Sequence, residues 1–184
     1  MIRALPLLIG LALTVPAGAQ ADEYLRAIRA ALTELANGEV QAGRDRLTGL
    51  VRQAPQRTEA HCHLGSAHRL AGELEPALAA FRECARLGEH SQQKTHQARG
   101  LLGIAQVLAQ LNRLSEAKEA YAALLVFAEA NAGVIDPTLV RSRQAAVDAI
   151  LAADAAARVV RERREQRARE NAEAAAQDSD APRE

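Results

Sequence analysis

The chain has little of several things. Four aromatic rings serve 184 residues (Tyr24, Phe81, Tyr121 and Phe127), tryptophan is absent, and there are two cysteines. Lys94 and Lys118 are the only lysines, and 23 basic side chains are balanced by 23 acidic ones. Two cysteines are too few for a disulfide scaffold. The lack of net charge argues against a generally basic nucleic-acid binder. What the chain does have is 48% hydrophobic residues, 42 of its residues being alanine, with 11 glycines and 6 prolines. So much apolar surface at so little net charge argues against wholesale disorder. An alanine-rich chain poor in Pro, Gly and β-branched residues leans helical.

Residues 1–20 read MIRALPLLIGLALTVPAGAQ. One positive residue, Arg3, precedes an apolar run over 4–15, and the small residues Ala17 and Ala19 form the A-x-A pattern of a signal-peptidase site. The run is shorter than the roughly 20 residues of a membrane span. A cleaved leader over 1–19 is expected, with cleavage after Ala21 as second choice. The alternatives are an uncleaved anchor or a buried N-terminal helix.

A period of 34 residues follows, the repeat length being the first thing to seek in a helical chain. Its clearest block is 58–91, with Leu64, Gly65, His68, Gly72, Ala77, Phe81 and Cys84 at positions 7, 8, 11, 15, 20, 24 and 27. This pattern resembles the tetratricopeptide repeat, in which small residues let two antiparallel helices approach and a large residue fills the space beside them. His61 stands where that family usually has tryptophan. One period earlier, 24–57 repeats Gly38, Gly43, Leu47 and Pro55 in register. Its first-helix stripe of Leu25, Ile28, Leu32 and Leu35 is displaced, which implies either a longer loop around Asn37-Gly38, the favoured reading, or an apolar inner face at this end. A third block, 98–131, carries Ile104, Ala105, Leu108, Ala117 and Tyr121, and starts 40 residues after Thr58. The six extra residues fall within 89–97, where a polar run should lengthen a helix by more than a turn.

Asp136-Pro137 is a helix start, with Asp as cap and Pro in the first turn. Leu139, Val140, Val147, Ile150, Leu151, Val159 and Val160 then form a stripe suited to cover the open end of the array. From residue 158 to 170 there are six Arg and three Glu, net +3. This stretch reads as a solvated helix end, or as a contact for an anionic surface, a partner protein or RNA. Residues 171–184 are expected to fray into disorder.

The resulting expectation is an all-α protein: a leader over 1–19, a right-handed α-solenoid of about three helix hairpins over 22–135, a capping helix over 136–160, and a charged extension and tail over 161–184. The resemblance implies binding of a protein or peptide in the concave groove. Its positions fall on Glu59, Cys62, Ser66, Arg69 and Leu70 in the second block, and on Arg99, Leu102, Gln106, Ala109 and Gln110 in the third. The expected role is a non-enzymatic scaffold, exported to the periplasm or cell envelope of a bacterium, with no nucleic-acid partner and no membrane span after cleavage. No cofactor, metal or catalytic residue is assigned. There is no His-Glu-x-x-His, C-x-x-C, G-x-S-x-G or phosphate-binding loop. His61 and His68 occupy aromatic slots of the repeat and should be partly buried. The rival readings are an enzyme using His61, Cys62, His63 and His68, and a membrane-tethered scaffold. A Cys62–Cys84 bridge is not expected: with Gly65 opposite Ala77, Cys62 would face residue 80, about a turn from Cys84, which strains a disulfide.

Overall fold

A computed structural model describes residues 17–179. The expected leader lies outside the described residues apart from its last three, which open the first helix. Among the described residues there are seven helices and no strand: α1 (Ala17–Ala36), α2 (Val40–Gln53), α3 (Thr58–Leu70), α4 (Leu74–His90), α5 (Lys94–Gln110), α6 (Leu114–Ala130) and α7 (Pro137–Ser179). Each packs on its neighbours in the chain, and α3 also touches both α1 and α5, so these three form an inner layer. No helix among the described residues is long and apolar enough to cross a membrane.

The same three-residue turn recurs four times. Its middle residue is left-handed: Gly38 (φ 83°), Gly72 (φ 76°), Gln92 (φ 56°) and Asn112 (φ 58°). The third residue's N–H reaches back to a carbonyl of the last helical turn, as in Glu39 to Glu34 (2.8 Å) and Arg113 to Leu108 (2.9 Å). These bonds satisfy carbonyls that a helix end otherwise leaves bare. Glycine adopts this conformation without a Cβ penalty, and asparagine tolerates it.

This regularity corrects two expectations. The turn at Asn37-Gly38-Glu39 is no longer than the one at Ala71-Gly72-Glu73. The displaced stripe of α1 comes instead from its inner face, where Tyr24, Ile28 and Ala31 are buried and Leu25 is exposed. The six extra residues do not lengthen one helix. They extend the end of α4 and the start of α5, and the middle of the polar run, Ser91-Gln92-Gln93, becomes the third copy of the turn.

Small residues set the spacing between helices. A Cβ on Gly100 would lie 2.5 Å from the backbone nitrogen of Ala85, and one on Gly88 would lie 2.5 Å from that of Gln97, so α4 and α5 run with their backbones nearly in contact. The Phe81 ring of α4 fills the space over Gly65 of α3 and Gly103 of α5. One core cluster joins α1 to α4 through residues such as Leu47, Leu64 and Ala80, and another joins α4 to α7 through Leu78, Phe81, Leu124 and Val140. At the α3–α4 turn, Glu73 accepts from His68 Nδ1 at 2.6 Å and pairs with Arg44 of α2. Those two partners, His68 first, hold its carboxyl below the usual range.

Asp136 caps α7 by accepting the Thr138 N–H at 2.8 Å. Val140 (0% exposed) and Val147 (5%) pack into the core, and Lys118–Asp148 (2.8 Å) and Arg141–Glu129 clip α7 to α6. The cap is shorter than the stripe implied, because Leu139, Ile150, Val159 and Val160 are exposed. Beyond Leu151 the side chains described, through Ala172, face solvent. The helix nevertheless continues to Ser179 rather than fraying from Asn171, consistent with its run of alanines, the best helix formers.

Two substitutions separate contact from propensity. Gly100→Ala should destabilise by about 1–3 kcal/mol through overpacking against backbone that cannot yield. Gly49→Ala, in an α2 site with nothing near its Cβ, should stabilise by about 0.8–1 kcal/mol. Urea unfolding of both variants checks the signs. Truncation after Val160 should leave the melting temperature nearly unchanged, whereas truncation before Leu139 should expose the α6 face and cause aggregation, read by light scattering.

Candidate partner-binding groove

The inner faces of α3 and α5 present the side chains that the repeat pattern assigns to a groove. Ser66 and Arg69 on α3 and Arg99, Leu102 and Gln106 on α5 surround one depression whose floor is Phe81 and Gly103. A second adjoins it, where Arg69, Gln106, Ala109 and Gln110 meet Tyr121 of α6 and Arg143 of α7. A third continues from Arg99 and Leu102 to Thr95, Ala98, Val134 and Ile135. They share lining residues, so the three read as one continuous groove.

Seven of the ten expected residues are brought together here. Glu59 and Leu70 do not line these depressions; Leu70 is 54% exposed at the end of α3. Cys62 is not a groove residue. It is fully buried and bonded to Cys84, with a Cα–Cα distance of 4.9 Å. The expectation of no bridge fails on register. Cys62 lies directly opposite Cys84 on α4, one turn beyond residue 80, and in the same register the Phe81 ring lies against Gly65. Three lining residues lie outside the repeat pattern: Val134, Ile135 and Arg143 enter because the chain beyond α6 folds back and α7 packs on α6, a tertiary fact with no periodic signal.

The histidines of α3 disperse. His61 is buried and its Nε2 donates to the Pro55 carbonyl at 2.9 Å; His68 is half-buried and meets Glu73. His63 accepts from Arg99 at 3.4 Å through Nε2. That assignment requires a neutral ring, and burial first, then the positive charges of Arg99 and His96, lower His63 from 6.5 to about 4 against an opposing pull from Glu59. With Cys62 in a disulfide, these four residues have four separate partners. Among the described residues, no group of three or more His, Cys, Asp or Glu side chains is placed to hold a metal ion. In the groove, burial raises the Tyr121 phenol above its ordinary value, opposed by the charge of Arg143 and its hydrogen bond to the phenol.

No protein-family model and no curated protein matches the chain. Solved structures do. The Yersinia enterocolitica type III secretion translocator chaperone SycD is similar at a TM-score of 0.61 and 18% identity, over 70% of this chain and 85% of that one. An alternative dimer of SycD gives 0.61 at 19%, over 69% and 92%. The fold is a tetratricopeptide-like α-solenoid. At these identities the likeness concerns architecture alone.

His63 and the disulfide each generate a test. An unfolded chain binds a proton at His63 near pH 6.5, while the folded one resists until about pH 4. The stability this gives is complete above about pH 6.5 and is lost as the pH falls towards 4. The urea midpoint should drop across that window, and drop less in His63→Gln. The bridge joins residues 22 apart, so Cys62→Ala/Cys84→Ala should cost roughly 3 kcal/mol. Reductant should bring the natural protein down towards the variant and leave the variant unchanged.

Proposed function

We propose that the protein is a non-enzymatic scaffold that binds a partner polypeptide along the α3–α5–α7 groove, and that it works in the envelope of a bacterium after export. The observation that carries the binding reading is the groove itself. It is an open cleft of mixed polar and aliphatic side chains on the inner layer of a solenoid, the extended concave surface such folds use for recognition. SycD, whose architecture is similar, is a type III secretion translocator chaperone, which fits a polypeptide-binding role.

Two independent features support export. One is the leader pattern over 1–19. The other is the Cys62–Cys84 bridge, since disulfides persist in oxidising compartments and are rare in the cytosol. The enzymatic alternative is weakened because Cys62 is held in that bridge and the α3 histidines face different neighbours.

Site-specific photo-crosslinking in the native host tests the binding surface. A crosslinker at Gln106 should capture a protein, whereas one at Glu119, on the exposed side of α6, should not. Equal capture from both would remove the groove assignment. Export is tested on protein recovered from cell fractions, expected to be oxidised and to start at Gln20 or Asp22. A chain beginning at Met1 with free thiols would contradict it.

A further inference from the structure

Several arginines outside the groove are matched with carboxylates: Arg46 with Glu34, Arg86 with Glu83, Arg113 with Glu116, and Arg141 with Glu129; others, such as Arg26, Arg29 and Arg52, stand singly on exposed helix faces. Among the described residues no ion pair reaches Arg69, Arg99 or Arg143. Arg69 and Arg99 flank one depression, and Arg69 and Arg143 flank the next. Arg99 and Arg143 keep only neutral partners, the rings of His63 and Tyr121. Three guanidinium groups thus line one cleft without a counter-charge, an arrangement that favours a carboxylate-bearing ligand, which they can bind bidentately. Beyond Arg99 the third depression is largely aliphatic, lined by Ala98, Leu102, Val134 and Ile135.

The charge does not stop at the cleft. At about 100° per residue, Arg143 shares its side of α7 with Ile150 and Arg161, and Arg158 and Arg164 flank that line. All of these are exposed. Asp154 and Glu165 lie near it too, so the line is basic on balance rather than uniformly so. From Arg143 to Arg164 the helix rises about 32 Å.

Resting on the scaffold reading, we propose that the ligand is an acidic polypeptide segment. One aliphatic side chain of the segment seats between Leu102 and Ile135, its carboxylates pair with Arg69, Arg99 and Arg143, and its flank continues along α7 over Arg158, Arg161 and Arg164. A small anion would satisfy one guanidinium pair and leave the rest of this length unused. A nucleic acid is the poorer fit: Phe81 and Tyr121 are each only 3% exposed, so bases find no ring to stack on.

The test is fluorescence anisotropy on the full-length protein without its leader. The probe is a labelled glutamate-rich peptide of about 20 residues, able to span roughly 65 Å when extended, with one central leucine. Its comparators replace leucine by serine, or glutamate by glutamine, and an oligothymidylate of equal charge reports nucleic-acid affinity. The leucine peptide should bind tightest, and more weakly as salt rises. Arg69→Gln/Arg99→Gln/Arg143→Gln should weaken it at least about tenfold; Arg158→Gln/Arg161→Gln/Arg164→Gln should weaken it less, and only for peptides long enough to reach α7. Arg26→Gln/Arg29→Gln on α1 should change nothing. Thermal melts confirm folding, and the single variants Arg69→Gln and Arg99→Gln replace the triple one if it melts early. Glutamine peptide binding as well as glutamate peptide, an equal effect from the α1 pair, or tighter binding of the oligothymidylate would each overturn the proposal. If Gln106 still crosslinks a partner through a non-acidic segment, the scaffold reading stands and the acidic class fails. If the acidic peptide binds through the three arginines while Gln106 captures no protein in the host, the ligand class stands and the scaffold reading fails.

Discussion

Phe81 sits on α4 against two glycines, Gly65 on α3 and Gly103 on α5. The ring needs both absences. A methyl group at either position would occupy the volume that the ring fills, and in a close-packed interior that volume cannot be recovered nearby. Because the chain has so few rings, this one bears much of the burden of joining consecutive hairpins. It sets the register of α3 against α4 and so brings Cys62 opposite Cys84. It also holds α3 and α5 side by side and forms part of the groove floor, so the binding surface and the core share a side chain.

Much of this architecture is legible in the sequence, and the reasons are local. Gly38, Gly72 and Asn112 mark turns because few residues accept a left-handed backbone. Ala77, Ala117, Phe81 and Tyr121 repeat at fixed spacing because each hairpin solves the same packing problem. Asp136-Pro137 announces a helix in two residues. In the groove, Ser66, Arg69, Arg99, Leu102 and Gln106 could be placed by register alone, since the face of a repeat helix is a function of position.

What was not legible depends on distances between elements. The stagger of α3 on α4 differs by one turn from the simplest pairing of small residues, and the sequence contains no mark of that turn, so the disulfide is not legible in it. Arg143 reaches the groove through the docking of α7 on α6, which rests on Val140, Val147 and two ion pairs. The polar run over 89–97 reads as one extension because its turn residue, Gln92, lacks the glycine signature. Gln92 takes the left-handed conformation (φ 56°) in a turn between helices held nearly backbone to backbone at Gly88 and Gly100.

The free part of α7 has a mechanical consequence. Its packed segment ends near Leu151, and from there to Ser179 a continuous helix spans about 42 Å. Such an element is a lever. A pivot of about 10° at the Asp136-Pro137 junction would sweep its far end by about 10 Å, for a helix of about 64 Å in all. The loosening of Lys118–Asp148 or Arg141–Glu129, small events at the fulcrum, would therefore be amplified at the tip, and anything attached there would be held at a set radius from the groove rather than beside it.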